Sequence, residues 1–223
     1  MENYQKEIFR SIEGDQWFNR NKSVQDVYEI YRALTRFLDK NSKVLEIGCS
    51  AGKNLNYFQK EIGCECYGID PSSKAIEEGK ENFPDLNLST GTADELHFND
   101  EFFDFVLFGF CMCLVDRKLL SRTVAEADRV TKDKGFLGII DFDPGLPIKK
   151  DFIHYEGLKT YKYDYSKLFL SFPHYTMADK SSYSHNTLAV KNSASHFTVD
   201  NNIDERVSSV ILYKDHSNCY FSL

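Results

Sequence analysis

The chain is short of basic charge. Its 27 lysines and arginines are outnumbered by 34 aspartates and glutamates, for a net charge of −7. Neutralising phosphates calls for the opposite surplus, so DNA and RNA are poor partners. Long apolar runs are missing too. The longest, Phe105 to Val115, is too short to span a bilayer. The polar opening MENYQKEIFR lacks the apolar core of a signal peptide. A cytoplasmic location without membrane association is expected. Tryptophan occurs only once, at Trp17, and there is no internal repeat. Cysteine stands at six positions, 49, 64, 66, 111, 113 and 219. The pairs CEC and CMC have a single residue between thiols, where zinc sites more often have about two to four. Alternate strand positions share a face, which leaves a metal role open beside the simpler one of reduced cysteine packed as a small hydrophobe. No metal is expected, and the sequence says nothing of oligomeric state.

What remains is ordinary for a globular protein: 42% hydrophobic and 27% charged residues over 223 positions, enough for one domain with a real core. Residues 24–39 place apolar side chains at helical spacing. KVLEIG then reads as a strand, GKNLNYFQKEIG as a helix ended by Gly63, CECYGID as a strand and PSSKAIEEGKENF as a helix. NLSTGTAD and the nearly all-apolar FFDFVLFGF follow as strands, the latter suited to a sheet centre covered on both faces. KLLSRTVAEADRVTKDKG predicts a helix closed at Gly135, and FLGIIDFD a fifth strand. This alternation predicts an α/β fold with a doubly wound, mostly parallel sheet. After Pro144 the texture becomes tyrosine-rich, then aperiodic over 185–205, and RVSSVILYKD reads as a closing strand. The expected organisation is a single domain: an N-terminal helical cover (1–40), a ligand-binding core (41–143) and an elaboration with closing strands (144–223).

The turn inside VLEIGCSAGKNL, residues 44–55, carries the chemistry. A phosphate-binding P-loop needs one more residue between its glycines and a hydroxyl after the lysine, whereas Asn54 follows Lys53. A dinucleotide fingerprint needs glycine where Ser50 stands, and Glu46 would repel a pyrophosphate. S-adenosylmethionine carries no phosphate. A carboxylate suits its cationic end, Gly48 and Gly52 let backbone approach, and a helix N-terminus offers amides to its carboxylate. Asp70, at the end of the next strand, is placed to accept from both ribose hydroxyls. Asp94, after the third strand, is placed to accept from the adenine amine, with Ala93 and Leu96 as apolar neighbours. Taken singly, the loop is also an ordinary strand-to-helix turn, and Asp70 and Asp94 are ordinary caps. Their joint occurrence at three successive strand ends is what argues for a ligand.

In order and spacing, VLEIGCSAG, GIDPS, GTADELHF and FDFVLFGF resemble the successive motifs of class I S-adenosylmethionine-dependent methyltransferases, over about residues 40–143. The resemblance implies a Rossmann-like seven-stranded sheet in the order 3-2-1-4-5-7-6, with VSSVILYKD as the reversed last strand. It implies cofactor roles for Glu46, Gly48, Gly52, Asp70 and Asp94. Cys49, Ser50, Pro71, Ala93 and Phe110 are expected to border the same site. Cys49–Ser50 departs from the glycine common in that loop. Trp17 and Arg20 are further cofactor candidates, because the N-terminal segment of many such enzymes folds over the ligand.

The acceptor is less legible. FGFCMC lacks the signature of enzymes that methylate amino groups of DNA bases. Asp141, Asp143 and His154 are candidate bases or metal ligands, each of which also reads as a turn residue or solvated charge. Tyr161, Tyr163 and Tyr165 alternate with lysines, so Tyr161 and Tyr165 are expected to stack on the acceptor, with residues 145–185 forming one wall of its pocket. The N-terminal EGDQWFNRN and the later tyrosine-rich texture are similar to bacterial methyltransferases of surface-polysaccharide and sugar biosynthesis. That likeness implies a small-molecule acceptor, a sugar or nucleotide-sugar hydroxyl. The alternatives are a noncatalytic S-adenosylmethionine-binding partner module and a protein or RNA methyltransferase.

Overall fold

Seven strands form one sheet in the order β3-β2-β1-β4-β5-β9-β8. The structure, a computed structural model, describes residues 4–22, 29–185 and 205–217. The first five strands are parallel: β1 (Lys43–Ile47), β2 (Glu65–Asp70), β3 (Asn87–Thr90), β4 (Phe103–Gly109) and β5 (Thr131–Phe142). Two antiparallel strands, β8 (Tyr175–Ser184) and β9 (Arg206–Lys214), complete it. A separate two-stranded hairpin is formed by β6 (Ile148–Asp151) and β7 (Lys159–Lys162). Renumbered over the main sheet alone, this is the expected order with its reversed strand.

Period-two alternation divides the strands between two cores. Leu45, Ile47, Val106, Phe108 and Leu137 pack on one face against α6 (Leu120–Val130) and α7 (Ser166–Leu170). Val44, Cys66, Phe105, Leu107 and Ile211 pack on the other. There they meet α3 (Glu29–Arg32) with its 3-10 continuation (Ala33–Phe37), α4 (Lys53–Ile62) and α5 (Ser73–Asn82). Helices thus cover both faces. The N-terminal segment is helical in three pieces: α1 (Tyr4–Ile8), a π-helical turn (Phe9–Glu13) and α2 (Gly14–Asn21). No helix among the described residues is long and apolar enough to cross a membrane.

Three element bounds differ from expectation, the first being the strand expected over NLSTGTAD, which ends at Thr90. The helix predicted to run to Gly135 stops at Val130, and Thr131 already pairs with Phe103. The ladder then jumps to Phe105–Phe136. Lys134 is left-handed (φ 64°), and a Cβ on Gly135 would lie 3.0 Å from the Lys132 carbonyl, so TKDKG is a bulge within a strand. The helix predicted over 24–39 is seen only as Glu29–Phe37; residues 24–28 lie outside the described residues, as does nearly all of the aperiodic stretch 185–205.

Candidate active site

Three neighbouring strand ends, Ile47, Asp70 and Gly109, open onto the site. The chain leaves β1 through Gly48 (φ 79°), Ser50 (φ 50°) and Gly52 (φ 78°), three left-handed residues that turn it into α4. The Gly48 and Cys49 N–H groups both donate to the Ile69 carbonyl, at 2.8 and 3.2 Å. A Cβ on Gly48 would lie 2.7 Å from the Cys111 Cβ, so only glycine lets the loop lie this close. Gly52 lines neither cavity described below; its part is the turn itself.

Asp70 anchors that loop. Its two oxygens accept from the Ser50 N–H at 2.8 Å and the Ser72 N–H at 2.9 Å. Burial pushes its carboxyl up to about 6, against the pull of those two bonds. Each oxygen keeps a further lone pair for a ligand. Beside it lies a cleft of about 130 Å³, bordered by Asp70, Pro71, Ala93, Asp94, Phe110 and Trp17, among others. Asp94 accepts from Lys6 Nζ at 2.7 Å. Burial acts to raise its pKa, but the Lys6 and Thr92 hydrogen bonds override it and hold the carboxyl below the usual range. Leu96 is a core residue, 4% exposed, and does not border the cleft.

A larger chamber of about 700 Å³ adjoins the cleft and shares Trp17, Gly48, Gly109, Phe110 and Leu114 with it. Cys49 and Ser50 also border it. Its notable wall residue is Glu46, 1% exposed. Oε1 accepts from Asn54 Nδ2 at 2.8 Å, whereas Oε2 is buried with no hydrogen-bond partner. Burial raises this carboxyl to about 8; the Asn54 bond opposes that, and the charge of Asp70 adds to it. An orphaned carboxylate oxygen on a cavity wall suits a cationic ligand. Gly109 makes room for it, since a Cβ there would sit 2.8 Å from Glu46 Oε1 and 2.7 Å from the Tyr31 hydroxyl.

Several expected site residues lie elsewhere. Arg20 borders neither cavity and is paired with Glu13, a fully buried acid of the π-helical turn. Asp141 is 2% exposed and accepts from the backbone N–H groups of Cys113 and Phe142, so it braces a turn. Asp143 forms ion pairs with Lys180 at 2.9 Å and Arg206 at 3.5 Å, which tie β5 to β8 and β9. Tyr165 is 1% exposed; its hydroxyl donates to the Tyr161 carbonyl and accepts from Arg117. Tyr161 stacks under the Arg117 guanidinium at 4.5 Å. Alternation along β7 is the cause: Thr160 and Lys162 border the chamber, and Tyr161 does not. Of the wider segment 145–185, the hairpin supplies a chamber wall, while Tyr175–Ser184 is an edge strand of the main sheet.

His154 does border the chamber, on the hairpin. So does Lys162, one of the lysines interleaved with the tyrosines, together with residues the sequence did not single out: Tyr31, Phe142, Phe152, His185 and Glu205. His185 and Glu205 flank a stretch without periodicity and meet only because β8 and β9 pair with Ser184 opposite Arg206. Among the described residues no group of three or more His, Cys, Asp or Glu is arranged to hold a metal. Cys64 and Cys66 are buried with sulfurs 3.6 Å apart; Cys219 lies outside the described residues.

Comparison with known proteins falls on the same region. Residues 45–139 match the sequence family described as Methyltransferase domain. A demethylmenaquinone methyltransferase of Staphylococcus aureus is 33% identical over 117 residues, 50% of this chain and 48% of that protein. The chain spans about half the length of the curated relatives it matches, or less. Among solved structures, the Burkholderia thailandensis 1,6-didemethyltoxoflavin-N1-methyltransferase, with bound 1,6-didemethyltoxoflavin and S-adenosylhomocysteine, superposes with a TM-score of 0.69. The identity is 14%, covering 94% of this chain and 88% of that one. A Methanosarcina mazei S-adenosylmethionine-dependent methyltransferase gives 0.61 at 20% identity, covering 85% and 99%. At these identities the superpositions speak to the fold.

Proposed function

We propose that this chain, whose residues 45–139 match the methyltransferase-domain family and whose sheet has the class I S-adenosylmethionine-dependent methyltransferase fold, methylates a small ring compound held in the chamber. One observation carries the reading: the cleft and the chamber meet at Gly48, Gly109 and Phe110, and the unpartnered Glu46 oxygen lies in the chamber wall. When bound, S-adenosylmethionine supplies an electrophilic methyl group on a sulfonium. The residues present fit it. Asp70 accepts from the ribose hydroxyls, Asp94 from the adenine amine, and Glu46 faces the cationic end. Trp17 and Phe110, common to both cavities, exclude water from the junction.

The acceptor class follows from the chamber wall. Tyr31, Phe142 and Phe152 offer ring faces or edges, and Lys150 and Lys162 offer positive charge. Relatives named for demethylmenaquinone and 1,6-didemethyltoxoflavin support a small-molecule acceptor. A sugar or nucleotide-sugar hydroxyl is the second reading, since the same lysines suit a phosphate, although Tyr161 and Tyr165 no longer speak for it. Open space of about 700 Å³ beside the cleft favours an enzyme over a noncatalytic binding module.

Calorimetry tests the cofactor half. S-adenosylmethionine and S-adenosylhomocysteine should bind, and NAD and ATP should not bind comparably. Asp70→Ala should weaken binding by about 1–3 kcal/mol through lost charged acceptors. Tight NAD binding with no response to S-adenosylmethionine would overturn the proposal. Labelled methyl transfer to a panel of ring alcohols, phenols and sugars tests the acceptor half.

A further inference from the structure

Resting on the methyltransferase reading, the geometry points to His185, held by Glu205, as the base that takes the proton from the acceptor hydroxyl, and to a phenol- or enol-type hydroxyl as its substrate. His185 stands at the end of β8, and Glu205 immediately precedes β9. The Ser184–Arg206 register brings the two side by side, with His185 Nδ1 3.2 Å from Glu205 Oε2. The other Glu205 oxygen is 3.4 Å from Lys162 Nζ, and that ammonium sits 3.9 Å above the Phe142 ring. The imidazole packs against Phe142 and Phe110, with ring centres 5.0 and 6.0 Å away. Phe110 also borders the cofactor cleft, so the imidazole lies on the chamber side of the junction where the methyl group enters.

A carboxylate at Nδ1 fixes the tautomer. Nδ1 carries the proton and Nε2 the lone pair, the arrangement a general base needs. Other chamber groups are engaged differently. Asp151 is paired with Lys159, Glu46 is bonded to Asn54, and His154 packs on Phe152 with no carboxylate beside it among the described residues. The transfer then balances. The acceptor O–H bond breaks and its proton passes to His185 Nε2. The oxygen lone pair forms the new C–O bond as the methyl C–S bond breaks, and that electron pair stays on sulfur. The products are a methyl ether, a neutral thioether and an imidazolium that returns its proton to solvent. An imidazole is matched to hydroxyls of phenolic acidity, far better than to alkanols, and the aromatic wall suits their rings.

The test uses the full chain, labelled S-adenosylmethionine and three probes of rising acidity: phenol, 4-chlorophenol and 4-nitrophenol. Wild type should methylate all three. His185→Gln should lower turnover of phenol by about 10²–10⁴-fold and of 4-nitrophenol much less, with S-adenosylhomocysteine affinity unchanged. Added imidazole should restore part of the rate to His185→Gly. Glu205→Gln, at the positioning residue, should lower kcat for phenol while leaving KM near the wild-type value. An equal loss for all three probes would make His185 a structural residue and overturn the assignment. So would methylation of methyl glucoside with no phenol turned over, or cofactor binding with no probe turned over. Failure of wild type to bind S-adenosylhomocysteine would instead bring down the methyltransferase reading and this inference with it.

Discussion

Lys6 Nζ lies 2.7 Å from Asp94 Oδ2, joining the first helix of the chain to the loop after β3. Both side chains are largely buried, and both border the smaller cleft. Because the folded state holds Asp94 below its ordinary pKa, the pair stabilises above about pH 4 and loses that contribution as pH falls through the folded value. Lys6→Met should therefore cost about 1–3 kcal/mol at pH 7, the penalty of a buried charge left unpaired, and clearly less at pH 3. Urea unfolding at the two pH values measures this. An equal loss at both would show that the ion pair is not its source.

Glu46 gives the opposite sign. Its carboxyl is raised from the ordinary 4.5 to about 8, chiefly by burial, so the native state holds a proton that the unfolded chain releases. The stabilisation is complete below about 4.5 and disappears as pH rises through about 8. Glu46→Gln should flatten that part of the stability profile. A cation brought alongside favours the ionised form, so binding S-adenosylmethionine at pH 7 should release up to one proton. Calorimetry in buffers of different ionisation enthalpy should find that release in wild type and none in Glu46→Gln.

Gly48→Ala should damage the loop after β1 twice over, and with it the proposed cofactor site. The residue sits at φ 79°, and its new Cβ would lie 2.7 Å from the Cys111 Cβ. The left-handed backbone alone costs about 1–2 kcal/mol. Affinity for S-adenosylhomocysteine should fall at least tenfold, and adding Cys111→Gly should recover the part due to the clash and not the part due to φ. Full affinity in the single variant would refute the close approach.

Tyr165→Phe separates core from pocket. It deletes a 2.6 Å bond to the Tyr161 carbonyl and one acceptor of Arg117. The expected loss is about 1 kcal/mol of stability, read from thermal or urea unfolding, with acceptor KM unchanged. A raised KM with unaltered stability would return Tyr165 to the acceptor site.

The sheet was readable because its signals are local. Apolar strands alternate with capped helices, and Gly63 stands at the helix end where sequence placed it, while the helix expected from Pro71 begins at Ser73 behind the Ser72 cap. The acids at successive strand ends were readable for the same reason: topology alone carries Asp70 and Asp94 to one cleft. The acceptor side was not. Which face of β7 points inward depends on how the hairpin docks, and a one-residue difference replaces Tyr161 with Lys162. Asp141 and Asp143 looked free because nothing in the sequence announces the Cys113 N–H, Lys180 or Arg206 as partners. His185 and Glu205, 20 residues apart, are joined only by long-range strand pairing.

The hairpin β6–β7 belongs to a different sheet from the strands that carry Glu46 and Phe142 and that His185 and Glu205 adjoin. It is fastened from outside: the Gln5 side chain donates to the Lys159 carbonyl and accepts from the Lys159 N–H, and Phe9 meets Phe152 at 5.9 Å. The machinery is therefore divided between a chassis and a cassette. Residues 148–162 share no hydrogen bond of the main ladder, so a change in the hairpin leaves that ladder intact. The clasp at Gln5 is two hydrogen bonds to the backbone of Lys159, and through it the hairpin is tied to the same N-terminal segment whose Lys6, Phe9 and Trp17 border the smaller cleft.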